Sequence, residues 1–189
     1  MLLLYCDTRG EDEKKALCPP RSGRRGSAFG ASLLALAAQR YFGMERLPEI
    51  MEDSRGKPFF SGHPQAHFSL SHSRGHVLCA VSDAPVGVDI ELHRPLRAGT
   101  ADKLMSQEEM REFDFFELWT LRESFYKLTG EGSLKSTRFR LENGRPVAPK
   151  EGVFCRLYGE IDGVSAAMCA CSNKLPKIPE IVLVSQLIV

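Results

Sequence analysis

Apolar residues fall into short runs along most of the chain, and each run is bounded by residues that favour turns. Runs of this kind predict β-strands. The predicted strands are Leu2–Cys6, Ala66–Ser71, His76–Ser82, Val86–Glu91, Arg138–Leu141, Val153–Tyr158, Ala166–Cys171 and Ile181–Val189. Two further short runs, Ile50–Asp53 and Pro58–Phe60, flank Ser54-Arg55-Gly56-Lys57, and this arrangement predicts a hairpin.

Two longer segments repeat their apolar residues every three to four positions, which predicts helices. The first is Ser27–Phe42, which ends before Gly43, and the second runs from about Glu117 to Leu128. Another helix is predicted to begin at Ser106-Gln107-Glu108-Glu109. This segment matches a capping box, in which the Ser hydroxyl and the Glu carboxylate satisfy free N–H groups at the helix start.

The strands come in runs with helices between the runs, and this order favours an α+β fold with antiparallel sheets. Each half of the chain holds one set of strands and helices, and Ala84-Pro85 marks the junction between the sets. We therefore predict an N-terminal half at residues 1–85 and a C-terminal half at residues 86–189.

Composition narrows the class of protein. The chain has 189 residues, of which 43% are hydrophobic and 26% charged, so a disordered or collagen-like chain is excluded. A net charge of +1 gives no general reason to expect nucleic acid or an anionic membrane as partner. No apolar run approaches the roughly 18 residues that cross a bilayer, and the apolar start of the chain is typical of a first strand rather than a secretion signal.

The six cysteines show no C-x-x-C spacing. Cys79 and Cys155 lie inside apolar runs, where small buried hydrophobic residues are expected. Because no secretion signal is recognised, we expect reduced thiols, no disulfide framework and a cytoplasmic protein.

Asp89 and Glu91 form the most unusual pair of residues in the chain. Positions i and i+2 of a strand share one face, so both carboxylates project together while Val88 and Ile90 face the core. A cation between the carboxylates would relieve their repulsion, and hard oxygen ligands suit Mg²⁺. The alternative is a solvated strand edge that ends at a turn.

Trp119, Glu123 and Lys127 are spaced by four along the second long helix and therefore share one of its faces. Spacing alone favours a routine Glu–Lys ion pair, worth about 0.3–0.5 kcal/mol on an exposed helix. In the functional alternative, Glu123 joins the strand carboxylates and Lys127 faces an anionic substrate.

The segment Phe68–Ser73 alternates apolar and polar residues. Its hydroxyls, His72 and the N–H groups of the following loop are suited to holding a phosphate. A zinc site at His67, His72 and His76 is disfavoured, because these residues straddle a strand and a turn with no Cys nearby. A Ser-His nucleophile pair is disfavoured too, because adjacent residues of an extended segment point opposite ways and no G-x-S-x-G elbow is present.

In this order, the segments resemble the 4′-phosphopantetheinyl transferases, specifically the Sfp-type branch. The matching segments are Gly56-Lys57-Pro58, Phe68–Ser73, Gly87–Glu91 and Trp119–Lys127, with a weaker match at Met105–Glu109. The resemblance covers most of the chain from about Phe29 onward.

The resemblance implies two similar halves, each a small antiparallel sheet with packed helices, related by a pseudo-two-fold axis. Coenzyme A and Mg²⁺ would lie in the cleft between the halves of a monomer. The implied enzyme transfers 4′-phosphopantetheine from coenzyme A to a serine of an apo acyl or peptidyl carrier protein and releases 3′,5′-adenosine bisphosphate.

The resemblance also implies roles for the acidic residues. Asp89, Glu91 and Glu123 would hold Mg²⁺ against the pyrophosphate, and Glu109 would be a further acidic residue near the metal. Glu123, or a water on the metal, would take the proton from the carrier serine. Lys127 would neutralise or protonate the leaving phosphate.

The remaining implied residues bind coenzyme A. Ser71 and His72 would contact its phosphates and Lys57 its nucleotide portion. Arg25 and Ser27 match best the family positions that grip the 3′-phosphate, with a solvated basic loop as the alternative. Arg122 stands where the family usually has Lys, and it would contact phosphate or be a solvated side chain.

Two other classes of protein remain open from the sequence. One is a non-catalytic relative that binds coenzyme A or a carrier protein, although such a module has no need of three clustered carboxylates. The other is a different Mg²⁺-dependent phosphate enzyme, such as a pyrophosphatase. The lack of a P-loop argues against a nucleotide kinase.

Overall fold

The computed structural model describes residues 1–18 and 28–188 of the chain. Within these ranges the strands are β1 (Leu2–Asp7), β2 (Ile50–Glu52), β3 (Pro58–Phe60), β4 (His67–Ser73), β5 (His76–Ser82), β6 (Val86–Leu92), β7 (Arg140–Glu142), β8 (Arg145–Val147), β9 (Phe154–Tyr158), β10 (Val164–Ala170) and β11 (Glu180–Ile181). The helices are α1 (Ala28–Phe42), α2 (Thr100–Leu104), α3 (Gln107–Glu112) and α4 (Phe115–Thr129), and short 3₁₀ turns lie at Glu13–Lys15 and Val184–Gln186.

Two sheets carry the fold. The first has the strand order β11-β1-β5-β4 and the second the order β6-β10-β9-β8-β7, while β2 and β3 form a separate two-stranded ribbon. All pairs are antiparallel except β1 with β11. The prediction of an α+β fold is therefore confirmed.

The two sheets pack face to face between two helices of 15 residues each. One face of the first sheet buries Leu4 and Val81 against α1. Its other face meets the second sheet, where Val88 and Ile90 are buried in the shared core. The far side of the second sheet buries Ala167 against α4. The resulting order of layers is α1, first sheet, second sheet, α4.

Serine side chains join the adjoining edges of the two sheets. Ser69, Ser71 and Ser73 alternate along β4, so they share one face of that strand. The N–H of Val88 donates to Ser69 Oγ at 3.0 Å, and the N–H of Leu92 donates to Ser73 Oγ at 3.2 Å. These bonds fix the position of β6, which carries Asp89 and Glu91, relative to β4.

The observed elements depart from the predicted ones in several places, and helix α2 was not predicted at all. Strand β8 was not predicted, although Asn143-Gly144 before it has the positive φ angles of a tight hairpin turn. The last predicted strand, Ile181–Val189, is reduced to β11 and a 3₁₀ turn, and Val189 lies outside the described residues. Helix α4 begins at Phe115, two residues before the predicted start, and the carboxylate of Glu117 accepts from the backbone N–H of Asp114 at 2.9 Å at this helix start.

The second sheet contains a disulfide that the sequence did not predict. Cys155 and Cys169 lie directly opposite each other on β9 and β10, with their Cα atoms 4.3 Å apart, and they are joined by a disulfide. The expectation of reduced thiols is therefore wrong for this pair, because strand pairing brings together residues 14 apart in sequence. Cys79 is a buried free thiol, as predicted.

The C-terminal segment returns to the first sheet, since Glu180 and Ile181 pair with β1. The division of the chain at residue 85 stays a prediction. Among the described helices, none is both long and apolar enough to cross a membrane.

Gly87→Ala is expected to destabilise the protein strongly. A Cβ at this position would lie 2.1 Å from the backbone oxygen of Ser124 and 2.6 Å from the backbone nitrogen of Leu128. Because both atoms belong to the backbone of α4, no rotamer change relieves the clash, and β6 and α4 must separate. We expect the free energy of unfolding to fall by about 3 kcal/mol, measured by urea denaturation.

Gly159→Ala is the control, because a Cβ there would meet nothing within 4 Å. Its free energy of unfolding should stay within about 0.5 kcal/mol of the wild-type value. Equal stability of the two variants would contradict the close contact between β6 and α4.

Candidate active site

A recess between β6 and α4 gathers Asp89, Glu91 and Glu123, three of the four acidic residues that the sequence singled out. Asp89 and Glu91 alternate on the side of β6 that faces away from the shared core. Glu123 and Lys127 are one turn apart on α4, with Trp119 one turn before them. These residues line the recess together with Leu70, Ser71 and His72 of β4. The structure thus brings together segments from β4, β6 and α4, as the functional interpretation requires.

Asp89 is the most enclosed carboxylate of the recess, with 5% of its surface exposed. Its Oδ1 accepts hydrogen bonds from Ser71 Oγ at 2.7 Å and from Lys127 Nζ at 2.6 Å. Its Oδ2 is buried and has no hydrogen-bond partner within the described part of the chain. Burial raises the pKa of Asp89, and Lys127 and Ser71 oppose that shift only in part.

The other two carboxylates differ in their surroundings. Glu91 Oε2 accepts from Ser73 Oγ and from Arg94 Nη1, both at 2.9 Å. Glu123 is partly buried, and burial raises its pKa, with a further rise from the negative charge of Asp89. The pKa shifts of Asp89 and Glu123 therefore report burial first and, after it, electrostatic repulsion among carboxylates that share one recess.

The recess is not a closed metal cage. Within residues 1–18 and 28–188, no three His, Cys, Asp or Glu side chains are grouped closely enough to hold a metal ion. Lys127 provides the positive charge next to Asp89, and Arg94 provides it next to Glu91. Sequence reasoning missed Arg94, and it included Ser73 only among the hydroxyls suited to a phosphate, whereas Ser73 donates to Glu91.

A cavity of about 380 Å³ adjoins the recess. It lies between α1, the ribbon of β2 and β3, strand β4 and the end of α4, and it shares Ser71, His72 and Lys127 with the recess. His72 is exposed where the two meet, whereas Ser71 is buried. Ser71 donates to Asp89 instead of presenting its hydroxyl to a phosphate.

Arg122 and Glu109 occupy a separate buried cluster. Arg122 Nη2 donates to both carboxylate oxygens of Glu109 at 2.8 Å, and Nε donates to the carbonyl of Thr137 at 2.9 Å. Nη1 donates to the carbonyls of Leu104 and Leu134, each at 2.5 Å. These bonds engage all three guanidinium nitrogens, and Arg122 lines neither the cavity nor the recess. The structure therefore does not place Arg122 for the expected phosphate contact.

Glu109 is only 2% exposed and does not line the recess. Its Oε2 also accepts from the backbone N–H of Ser106, which confirms the predicted capping box of α3. The structure therefore gives Glu109 a role in joining α3 to α4, in place of the expected position beside a metal.

Lys57 differs from its expected role as well. It lines the cavity, but its ammonium donates to the backbone carbonyls of Leu128 at 3.1 Å and of Val86 at 3.4 Å. The remaining predicted ligands, Arg25 and Ser27, lie outside the described residues.

Comparison with known proteins gives one family. Residues 85–158 match the family model of the 4′-phosphopantetheinyl transferase superfamily. The chain is 41% identical over 90 residues to 4′-phosphopantetheinyl transferase psf-1 of Bacillus pumilus, covering 42% of this chain and 39% of that protein. It is 29% identical over 161 residues to a 4′-phosphopantetheinyl transferase of Bacillus subtilis, covering 75% of this chain and 72% of that protein.

A third relative is 4′-phosphopantetheinyl transferase Sfp of Bacillus subtilis (strain 168), which is 30% identical over 140 residues, 65% of this chain and 62% of that protein. The chain thus spans between 39% and 72% of the length of these curated relatives. The part that matches the family model includes β6 and α4, which carry the recess.

Removing the Arg122 guanidinium is expected to destabilise the protein. In Arg122→Met, Glu109 would remain buried without its positive partner, and breaking a buried pair in this way costs about 3–5 kcal/mol. The measurement is the free energy of unfolding in urea. The double variant Arg122→Met, Glu109→Gln should recover part of the loss, because the buried charge is gone. A loss as small as that of an exposed ion pair in Arg122→Met would refute the role assigned to this cluster.

Removing the charge of Asp89 is expected to stabilise the protein at neutral pH in the presence of a chelator. The pKa of Asp89 is raised above its ordinary value of 3.8, so the folded protein binds this proton more readily than the unfolded chain does. The ionised carboxylate therefore lowers stability as the pH rises through and above that value. We expect the stability of Asp89→Asn relative to wild type to increase from about pH 4 to about pH 7.

Asp53→Asn is the matched control with the opposite sign. The backbone N–H groups of Lys57 and Arg55 lower the pKa of Asp53, so the stability that its charge contributes is present above the ordinary pKa and is lost as the pH falls. Asp53→Asn should therefore become less stable relative to wild type as the pH rises. The same trend in both variants would show that the pKa of Asp89 is not raised.

Proposed function

The chain belongs to the 4′-phosphopantetheinyl transferase superfamily, and on that premise we propose that it transfers 4′-phosphopantetheine from coenzyme A to a serine of an apo acyl or peptidyl carrier protein. The other product is 3′,5′-adenosine bisphosphate, and the cofactor is Mg²⁺. The observation that carries this proposal is the recess itself. Asp89, Glu91, Glu123 and Lys127 meet there beside a cavity large enough to admit part of a nucleotide.

A divalent cation fits the chemistry of the recess. Asp89 Oδ2 is buried without a partner in the described part of the chain, and burial disfavours the charged forms of both Asp89 and Glu123. Asp89, Glu91 and Glu123 would hold the cation, since carboxylate oxygens are the ligands that Mg²⁺ prefers. Binding would draw these three carboxylates closer together than they lie in the structure. When bound, Mg²⁺ neutralises charge on phosphate oxygens.

Glu123 is the residue best placed to take a proton in the recess. Burial and the neighbouring carboxylates raise its pKa, which makes its carboxylate a stronger base than an exposed glutamate. Glu123 accepts the proton of the carrier serine while the serine oxygen forms a bond to the β-phosphorus of coenzyme A. The bond between that phosphorus and the bridging oxygen breaks, and the bridging oxygen leaves with 3′,5′-adenosine bisphosphate.

Lys127 provides positive charge at the boundary between the recess and the cavity. Its ammonium, which donates to Asp89, has further N–H donors for an anionic group. Lys127 would neutralise or protonate the leaving phosphate. Phosphoryl transfer depends mainly on such positioning and charge neutralisation.

The cavity is the proposed site of coenzyme A. It opens into the recess at Ser71 and His72, so the pyrophosphate of a ligand in the cavity would reach the carboxylates. His72, which is exposed there, would contact a phosphate. Ser71 would not contact coenzyme A directly but would hold Asp89 in place through its hydrogen bond.

The larger organisation is part of the same proposal. The two halves would be related by a pseudo-two-fold axis, which is supported by the placement of α1 and α4 on opposite outer faces of the paired sheets. One chain would contain the complete site and act as a monomer in the cytoplasm.

The reaction is tested by intact-protein mass spectrometry of an apo acyl carrier protein incubated with this chain, coenzyme A and Mg²⁺, followed by an apo peptidyl carrier protein. The carrier should gain one phosphopantetheine, and EDTA should abolish the gain. Glu123→Gln should lower the rate by about 10²–10⁴-fold, because a general base contributes that much. Glu131→Gln is the control, since Glu131 is an exposed carboxylate paired with Lys150 outside the recess.

Two results would refute the proposal. Coenzyme A binding with neither carrier modified would favour a non-catalytic relative. Release of phosphate from pyrophosphate compounds without a carrier would favour a different Mg²⁺-dependent phosphate enzyme.

A further inference from the structure

The turn between β2 and β3 positions two cationic side chains, Arg55 and Lys57. The carboxylate of Asp53 accepts from the backbone N–H groups of Arg55 at 2.8 Å and of Lys57 at 2.9 Å. The backbone N–H of Asp53 donates to the carbonyl of Lys57 at 3.0 Å. Gly56 has a φ of 79°, a backbone conformation that glycine adopts more easily than other residues. The directions in which Arg55 and Lys57 leave this turn are therefore well defined.

Both cations reach the end of α4. Lys57 Nζ donates to the carbonyl of Leu128 at 3.1 Å, and Arg55 Nη1 donates to the carbonyl of Thr129 at 3.0 Å. The last four carbonyls of a helix have no N–H partner within the helix, and positive charge is favourable at that end. The turn therefore caps α4 from outside.

Lys57 does more than cap the helix, because the same ammonium also donates to the carbonyl of Val86, at 3.4 Å. Val86 is the first residue of β6, the strand that carries Asp89 and Glu91. Leu128 directly follows Lys127 on the helix that carries Glu123. One partly buried ammonium thus bonds both elements that form the recess.

The bonds of Lys57 lie where β6 and α4 are closest. At Gly87, next to Val86, a Cβ would come within 2.6 Å of the backbone nitrogen of Leu128. A displacement at this point would change the separation of Asp89 from Lys127, which now measures 2.6 Å between Oδ1 and Nζ. The junction that Lys57 bonds therefore sets the geometry of the recess.

We propose that Lys57 is a positioning residue, which holds the start of β6 against the last turn of α4 and thereby aligns the carboxylates of the recess with Lys127. This inference rests on the proposed function for its effect on turnover. It assigns Lys57 a role different from the nucleotide contact that the resemblance implies. A flexible stem with a compact ammonium suits this role, because its donors reach two carbonyls from different elements. Burial lowers the pKa of Lys57, in agreement with its enclosed position.

The test is Lys57→Met, which keeps an aliphatic stem and removes both hydrogen bonds. Hydrogen exchange followed by mass spectrometry should show faster exchange in peptides that cover residues 123–129. With coenzyme A and an apo carrier, kcat should fall about 10- to 100-fold, as expected for a small misplacement of catalytic groups. KM for coenzyme A should stay within about twofold of wild type, because the Lys57 ammonium donates to backbone carbonyls, although its side chain lines the cavity.

Compared with Lys57→Met, Lys57→Arg is expected to recover part of the exchange protection and part of kcat, because arginine again provides N–H donors at this position. If Lys57→Met does not fold, Lys57→Gln is compared with Lys57→Arg by the same measurements. Lys174→Met is the control, because Lys174 is exposed and lines neither the cavity nor the recess, and it should leave exchange in residues 123–129 unchanged.

A higher KM for coenzyme A with unchanged kcat in Lys57→Met would overturn the inference and favour direct contact with the substrate. Unchanged exchange in residues 123–129 would also overturn it. If the wild-type protein modifies no carrier, the proposed function fails, while the exchange measurement still decides whether Lys57 holds the junction.

Discussion

The close approach of β6 to the last two turns of α4 is the constraint on which the rest of the molecule depends. At Gly87 the strand lies against the helix backbone, with no room for a side chain. This contact places Asp89 and Glu91 opposite Glu123 and Lys127, although the strand and the helix are separated by two short helices in the chain. Every other feature of the recess either supports that contact or makes use of it.

Three supports act on the contact from different sides. The serines of β4 fix the strand from the first sheet, through hydrogen bonds to Val88, Asp89 and Leu92. The pair of Arg122 and Glu109 joins α4 to α3 from the opposite side. Lys57 closes the end of the junction. Such supports are needed because burying like charges costs free energy that the surrounding structure must offset.

The concentration of charge in the recess is itself informative. Burial raises the pKa of both Asp89 and Glu123. The ionised forms of these carboxylates therefore lower the stability of the folded protein. Buried carboxylates with raised pKa values are typical of functional sites, where residues needed for the reaction lower the stability of the fold. By contrast, all three guanidinium nitrogens of Arg122 donate to neighbouring groups, which is typical of a structural ion pair.

Local pattern predicted much of the fold correctly. The alternation in Val86–Glu91 indicated which residues face the core, and the helical spacing of Trp119, Glu123 and Lys127 indicated one shared face. Hairpin β2–β3 was predicted because its turn residues have a local conformational preference. The Asn143-Gly144 turn carried the same kind of signal and was overlooked.

Local pattern was enough to indicate most of the secondary elements, the α+β class and the residue types that suit phosphate chemistry, because strand alternation, helix periodicity and turn preference are properties of neighbouring residues. The contacts of the polar side chains, by contrast, followed from tertiary packing. Ser71 bonds to Asp89, Arg122 to Glu109, Lys57 to Val86 and Leu128, and Cys155 to Cys169. Each of these partners comes from a different strand, helix or turn, so its identity depends on how the elements pack and not on any local pattern.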